Sequence, residues 1–153
     1  MRCQQILRMI IIAMKKLLCA FILLVSISPV FAESASADKA YWSGVSGEIA
    51  FVLSDAEKIY AEGNAKRAKK AVQHAYFGIF ESSKMEAAMR KTISAKHTYL
   101  VERKFGHMRK AIKKGVSAAE LHAIAEDLRN DLARDAKLLD EAGVSKEVFA
   151  VNQ

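Results

Sequence analysis

The chain has 153 residues, with 24 Lys plus Arg against 17 Asp plus Glu, a formal net charge of +7, two cysteines and one proline. Cys3, Cys19, Pro29 and four basic residues (Arg2, Arg8, Lys15, Lys16) fall in the first 32 positions, leaving 20 basic against 17 acidic residues, a net of +3. A body so nearly balanced gives little electrostatic reason to bind nucleic acid, and without cysteine it excludes disulfides, thiol catalysis and Cys-held metal.

Residues 1–32 read as a signal peptide. Met14-Lys15-Lys16 supplies a positive start, Leu17 to Ile27 an apolar stretch, and Val30-Phe31-Ala32 a small-residue cleavage pattern before Glu33. Met14 is the expected true start, since Ile10-Ile11-Ile12 forms a second apolar run upstream of it. The competing reading is an uncleaved anchor, against which Lys15 and Lys16 interrupt the run. Export through the inner membrane places the body in the periplasm. Residues 33–45, rich in Ala and Ser at their start, are expected to be a flexible arm, and 46–153 a single helical domain. The body holds no apolar run near the ~20 residues of a membrane helix, which excludes a transporter built from the body alone.

Four periodic segments follow. Ser46 to Glu62 sets Ile49, Val52, Leu53, Ala56, Ile59 and Tyr60 on one face, and Asn64 to Glu81 sets Ala68, Val72, Ala75, Tyr76, Ile79 and Phe80. Ser83 to Lys114 carries Met85, Met89, Ile93, Leu100, Phe105, Met108 and Ile112, with a drift of phase near Lys96 and a bend expected there. Ser117 to Ala142 carries Leu121, Ala125, Leu128, Leu132 and Leu139, close to a heptad seam. Gly63, Gly115 and Gly143 each follow one of these patterns and predict C-terminal caps. Ser83 with Glu86, and Ser117 with Glu120, have capping-box spacing. Ten basic residues against two acids between Lys84 and Lys114 face seven acids against three basic residues between Glu120 and Glu141. That contrast predicts an antiparallel pairing of the last two segments across their short link. The expected fold is all-α, an up-and-down four-helix bundle preceded by the signal peptide.

The most informative segment is Ala75-Tyr76-Phe77-Gly78-Ile79-Phe80-Glu81, a short turn, then Met85-Glu86. It sets two carboxylates beside three aromatic rings, an arrangement that is costly unless the carboxylates are paired, protonated or bound to a cation. Together with Tyr60, Gly63 and Asn64 before it, and Glu102 and Phe105 after it, the segment resembles the extracytoplasmic N-terminal domain of bacterial iron permeases of the oxidase-dependent iron transporter family. The resemblance covers roughly residues 60–115, with Asn64 where the family carries an acid and without the membrane permease part. It implies a helical domain that assists iron uptake, with a membrane iron permease as partner and Glu81, Glu86 and Glu102 as metal-holding residues.

Read without that resemblance, the same residues have plainer duties. Glu81 would end a helix, Glu86 would cap one and pair with Arg90 at i+4, and Glu102 would pair along its own helix. His74 and His107 are further candidate donors, while His97 and His122 read as edge or solvated histidines. Tyr76 and Phe80 read as core, and Phe77 falls off the main stripe. Met85, Met89 and Met108 are core rather than copper ligands. Lys66-Arg67-x-Lys69-Lys70 and Lys113-Lys114 are two basic runs and candidate lipid-headgroup contacts; the second also sits at a helix C-terminus, where the dipole favours cations, and that plainer reading is preferred. No Glu-x-x-His, Cys-x-x-Cys-His, His-Glu-x-x-His or Arg-Glu-x-x-Glu occurs in the sequence. The expected function is non-enzymatic: binding or presenting iron to a permease, with a metal-free docking module as the alternative.

Overall fold

The computed structural model describes residues 40–147, and the predicted leader and most of the predicted arm lie outside them. The described residues are all-helical: α1 (Tyr41–Ala61), α2 (Ala65–Gln73) continued by a π-helical stretch (His74–Glu81), α3 (Met85–Thr92), α4 (Ala95–Lys114) and α5 (Ala118–Glu141). Among the described residues no helix is long and apolar enough to cross a membrane.

α1 begins at Tyr41, five residues before the expected Ser46, so residues 41–45 are helix rather than arm. Trp42 supplies the reason. Its side chain is fully buried, and its indole N–H donates to the Val144 carbonyl at 2.7 Å. The residue preceding the helix, Ala40, has no side-chain acceptor for the free N–H groups of the first turn. Asp140, 98 positions along the chain, takes that role by accepting from the backbone N–H of Trp42 and of Ser43, each at 2.9 Å. At the other end, the Tyr60 hydroxyl donates to the Val116 carbonyl at 2.6 Å, so α1 runs antiparallel along α5.

The glycine caps form where expected. Gly115 adopts φ +73°, its N–H bonding the Ile112 carbonyl and the Val116 N–H that of Ala111, which closes α4 in a Schellman motif. Gly63 and Gly143 repeat the pattern at φ +86° and +65°. Asn64 and Ser117 cap α2 and α5 by accepting from the N–H of Arg67 and Glu120.

The third expected helix is two. α3 stops at Thr92, and Ser94 turns extended (φ −175°, ψ 152°) and caps α4, accepting from the His97 N–H at 3.1 Å. This break is the source of the phase drift. It resets α4 so that Thr98, Val101, Phe105, Met108 and Ile112 face inward, while Leu100, assigned to the core stripe, is 46 % exposed. The capping box expected at Ser83 and Glu86 does not form either. Lys84 begins α3 in the left-handed region (φ +64°), with no side-chain cap, and Glu86 turns to Arg90 instead.

α1 packs on α5 and α2, α4 packs on α5 and α2, and α3 lies against α4 and the π-helical stretch. Twenty-five apolar residues fill one core between them, with Trp42, Phe80 and Phe105 the largest. Full burial of each such ring contributes roughly 2–3 kcal/mol relative to exposure. The charge contrast along α4 and α5 is realised in contacts, with Lys104 bridging Asp127 at 2.7 Å and Asp131 at 2.5 Å.

Candidate functional site

The π-helical stretch decides the geometry of the kink. In an α-helix two residues five apart point about 140° away from each other. In a π-helical turn, with its i→i+5 bonds, they fall nearly in line. Tyr76 and Glu81 are such a pair, and the Glu81 carboxylate acts on the Tyr76 phenol, helping to raise its pKa. Gly78 makes room within the same stretch. A Cβ there would come within 2.4 Å of His74 Nδ1, so the imidazole lies over the bare glycine.

Behind the carboxylates stands an aromatic wall. The Tyr76 ring lies 4.7 Å from Phe77, 6.0 Å from Phe80 and 5.3 Å from Phe105, and Phe80 lies 5.5 Å from Phe105, all centroid to centroid. Phe80 and Phe105 are fully buried, as their stripe predicts, while Phe77 is 54 % exposed.

Glu86 and Glu102 come in from α3 and α4. Both bind one guanidinium: Arg90 Nη2 lies 2.7 Å from Glu86 Oε1 and 2.8 Å from Glu102 Oε1. The two carboxyls lie close enough to act on each other, and Glu86 is the one whose pKa rises. Burial raises its pKa, and the proximity and negative charge of Glu102 add to this, with Arg90 opposing and Glu81 adding a smaller push. Tyr76 is raised too, by burial first, then by Glu81 beside it and the charges of Glu102 and Glu86. Its phenol is therefore a neutral donor.

Of the three residues singled out in the sequence, Glu86 and Glu102 meet at Arg90, whereas Glu81 stands beside Tyr76 and joins no ion pair among the described residues. Glu86 pairs with Arg90 at i+4 as expected, but Glu102 pairs across the Ile93–Ser94 break rather than along its own helix. That break brings α3 against α4, and the sequence signalled it as a phase drift and a bend near Lys96 rather than as two separate helices. The sequence did not mark Arg90 as the hub or Tyr76 as the partner of Glu81. The histidines proposed as extra donors stand elsewhere. His74 covers Gly78, and His107 lines a groove with Lys104, Glu120 and Asp127 on the α5 side. His97, read as an edge residue, meets the buried Asp135 at 2.7 Å.

Chemically, the site offers hard oxygen donors, a neutral phenol and a dry back wall, suited to a hard cation such as Fe(III) or Mn(II). It is not a preformed coordination shell: among the described residues, no three His, Cys, Asp or Glu side chains are grouped so as to hold one metal ion. Arg90 stands between Glu86 and Glu102 as their counter-cation, 47 % exposed and so free to swing into solvent.

No protein-family model, curated protein or solved structure matches the chain.

Proposed function

We propose that the protein assists iron uptake in the periplasm, holding an iron ion weakly at Glu81, Glu86 and Glu102 and presenting it to a membrane iron permease. In this reading α1, α2, α4 and α5 make an up-and-down four-helix bundle behind a signal peptide, with α3 folded across the kink. The single observation that carries it is the imbalance at the kink, where Glu86 and Glu102 share one guanidinium and Glu81 forms no ion pair among the described residues. A cation of higher charge relieves it better. The resemblance of residues 60–115 to the soluble domain of iron permeases supplies the choice of iron. No covalent chemistry is involved. An arriving ion displaces the Arg90 guanidinium, Tyr76 keeps Glu81 oriented, and the Phe80–Phe105 wall excludes water from behind.

Melting temperature followed during titration with Fe(II), Fe(III), Mn(II) and Cu(II) tests this reading. A bound ion stabilises the fold by ~2.7 kcal/mol at a hundredfold excess over Kd. The shift is expected with iron and is expected to vanish in Glu81→Gln/Glu86→Gln; an unchanged shift in that variant defeats the assignment.

A second reading has its own observation. Arg90 of α3 already bridges to Glu102 of α4 without any metal, and Phe77, packed on Tyr76, is exposed. On that view the kink is a rigid corner of a metal-free module docking on a membrane transport partner, and no ion moves the melting temperature.

A further inference from the structure

Positive charge is concentrated on one face of the molecule. α2 carries Lys66, Arg67, Lys69 and Lys70 with no acid, and the last turns of α4 carry Arg109, Lys110, Lys113 and Lys114 with none. These two runs, far apart in sequence, lie side by side. The helices are antiparallel, since Gln73 shares a groove with Gly106 and Arg109 while Tyr76 further along meets Phe105. Lys69, Arg109, Lys110 and Lys113 therefore line one shallow groove of about 260 Å³. None of these four forms an ion pair among the described residues. Cations on the α5 side differ: Lys104 and Arg129 are each held by two carboxylates. The basic groove is a true surplus.

Aromatic rings flank its far end. At helical spacing the α4 wall runs from Lys113 through Lys110, Gly106 and Arg103 to Tyr99, and the other wall runs from Lys69 through Gln73 to Phe77. Tyr99 and Phe77 are 55 % and 54 % exposed, and the Arg103 guanidinium lies 5.8 Å from the Tyr99 ring centroid. Lysines that reach anionic headgroups beside rings that sit at headgroup depth are the two components of interfacial membrane binding.

We propose that the α2–α4 face is a docking surface for an anionic phospholipid bilayer. Two further points favour lipid over nucleic acid. Four cations unpaired among the described residues cluster on one face of a body whose net charge is only +3, and the export leader expected from the sequence places that body beside a membrane. The proposal does not depend on the iron reading, and its failure would leave the carboxylate site untouched.

Co-sedimentation of the full chain with phosphatidylcholine vesicles, with and without phosphatidylglycerol, tests it. Each lysine at an anionic surface is worth about fivefold in partitioning, so Lys69→Gln/Lys110→Gln should lower binding to the anionic vesicles about 30-fold. A matched pair on other helices, Lys58→Gln/Lys91→Gln, removes the same charge and should change it little. Because both variants keep the leader, its contribution cancels in the comparison. Equal losses in the two pairs would reduce the effect to net charge and overturn the proposal, as would an unaffected Lys69→Gln/Lys110→Gln. Phe77→Ala, at an exposed position, should weaken binding several-fold at high salt, where the charge attraction is screened; no change there overturns the orientation. Tighter binding to a DNA duplex than to anionic vesicles at equal salt would assign the face to nucleic acid instead.

Discussion

Acidic side chains gather at two places in this molecule, and the two behave oppositely. Along the α4–α5 seam the acids meet several basic side chains from both helices. Asp127 and Asp131 meet Lys104, Asp131 also meets Arg134, and the buried Asp135 meets His97. At the kink, Glu86 and Glu102 divide one Arg90, and Glu81 has the neutral Tyr76 hydroxyl. The titration behaviour follows. Burial alone would push Asp131 up, yet Lys104 and Arg134 together hold it below its ordinary value, whereas Glu86 is raised. A run of acids in a sequence is therefore no signal by itself. What separates a structural seam from a candidate cation site is the number of positive groups that the fold delivers to it.

The comparison is broken most severely at the wall behind the kink. Phe105→Ala removes a fully buried ring that touches both Tyr76 and Phe80, and is expected to cost about 3–5 kcal/mol in chemical denaturation. Next comes the seam. Asp131→Asn leaves Lys104 and Arg134 short of a partner and should cost about 1–2 kcal/mol at neutral pH, discounted for the partial exposure of all three groups.

The two regions should then show opposite pH slopes. The folded pKa of Asp131 lies below its ordinary 3.8, so its contribution is present above that value and is lost as pH falls through the folded pKa. The wild-type advantage over Asp131→Asn should vanish in acid. The folded pKa of Glu86 lies above its ordinary 4.5, so its contribution is complete below that value and is lost as pH rises through the folded pKa. Glu86→Gln should accordingly destabilise less at neutral pH than near pH 4, and a gap between wild type and variant that widens on raising the pH would contradict the raised Glu86 pKa.

Two subtler variants sharpen the picture. Lys84→Gly places a permissive residue at the left-handed position of the kink and should raise stability by up to about 1 kcal/mol, measured by thermal melting. Arg90→Gln removes the shared cation. Under the iron reading it should tighten metal binding while Glu86→Gln weakens it; under the metal-free reading it loosens the α3–α4 corner and changes no metal response. Calorimetric titration of the two variants with Fe(III) separates these outcomes.

Much of the helical frame was legible in the sequence, because glycine caps, Ser and Asn caps and apolar periodicity act within a few residues of one another. Gly115, Asn64 and Ser117 do locally what their positions imply. The misses have two causes: a distant partner at the start of α1, and competing local contacts around the kink. Trp42 extended α1 because Val144 and Asp140 were waiting for it. Leu100 left the core because Ser94 restarted the helix in a new phase, and the Ser83–Glu86 box gave way to Arg90. Glu81 and Glu86 were singled out by their company of aromatic residues and Glu102 by the family resemblance, but Arg90 was not, since Arg90 and Glu102 lie 12 residues apart across a break.

What this sequence determined alone is an all-helical body with its turns at 63, 115 and 143, because capping and periodicity are short-range and sum along the chain. Tertiary structure alone decided which charges share a cation and which are left over. Bringing Arg90 to both Glu86 and Glu102, and Lys69 beside Lys110, takes a helix break and an antiparallel packing. Electrostatic energy depends on distance through space, and the order of residues does not record that distance.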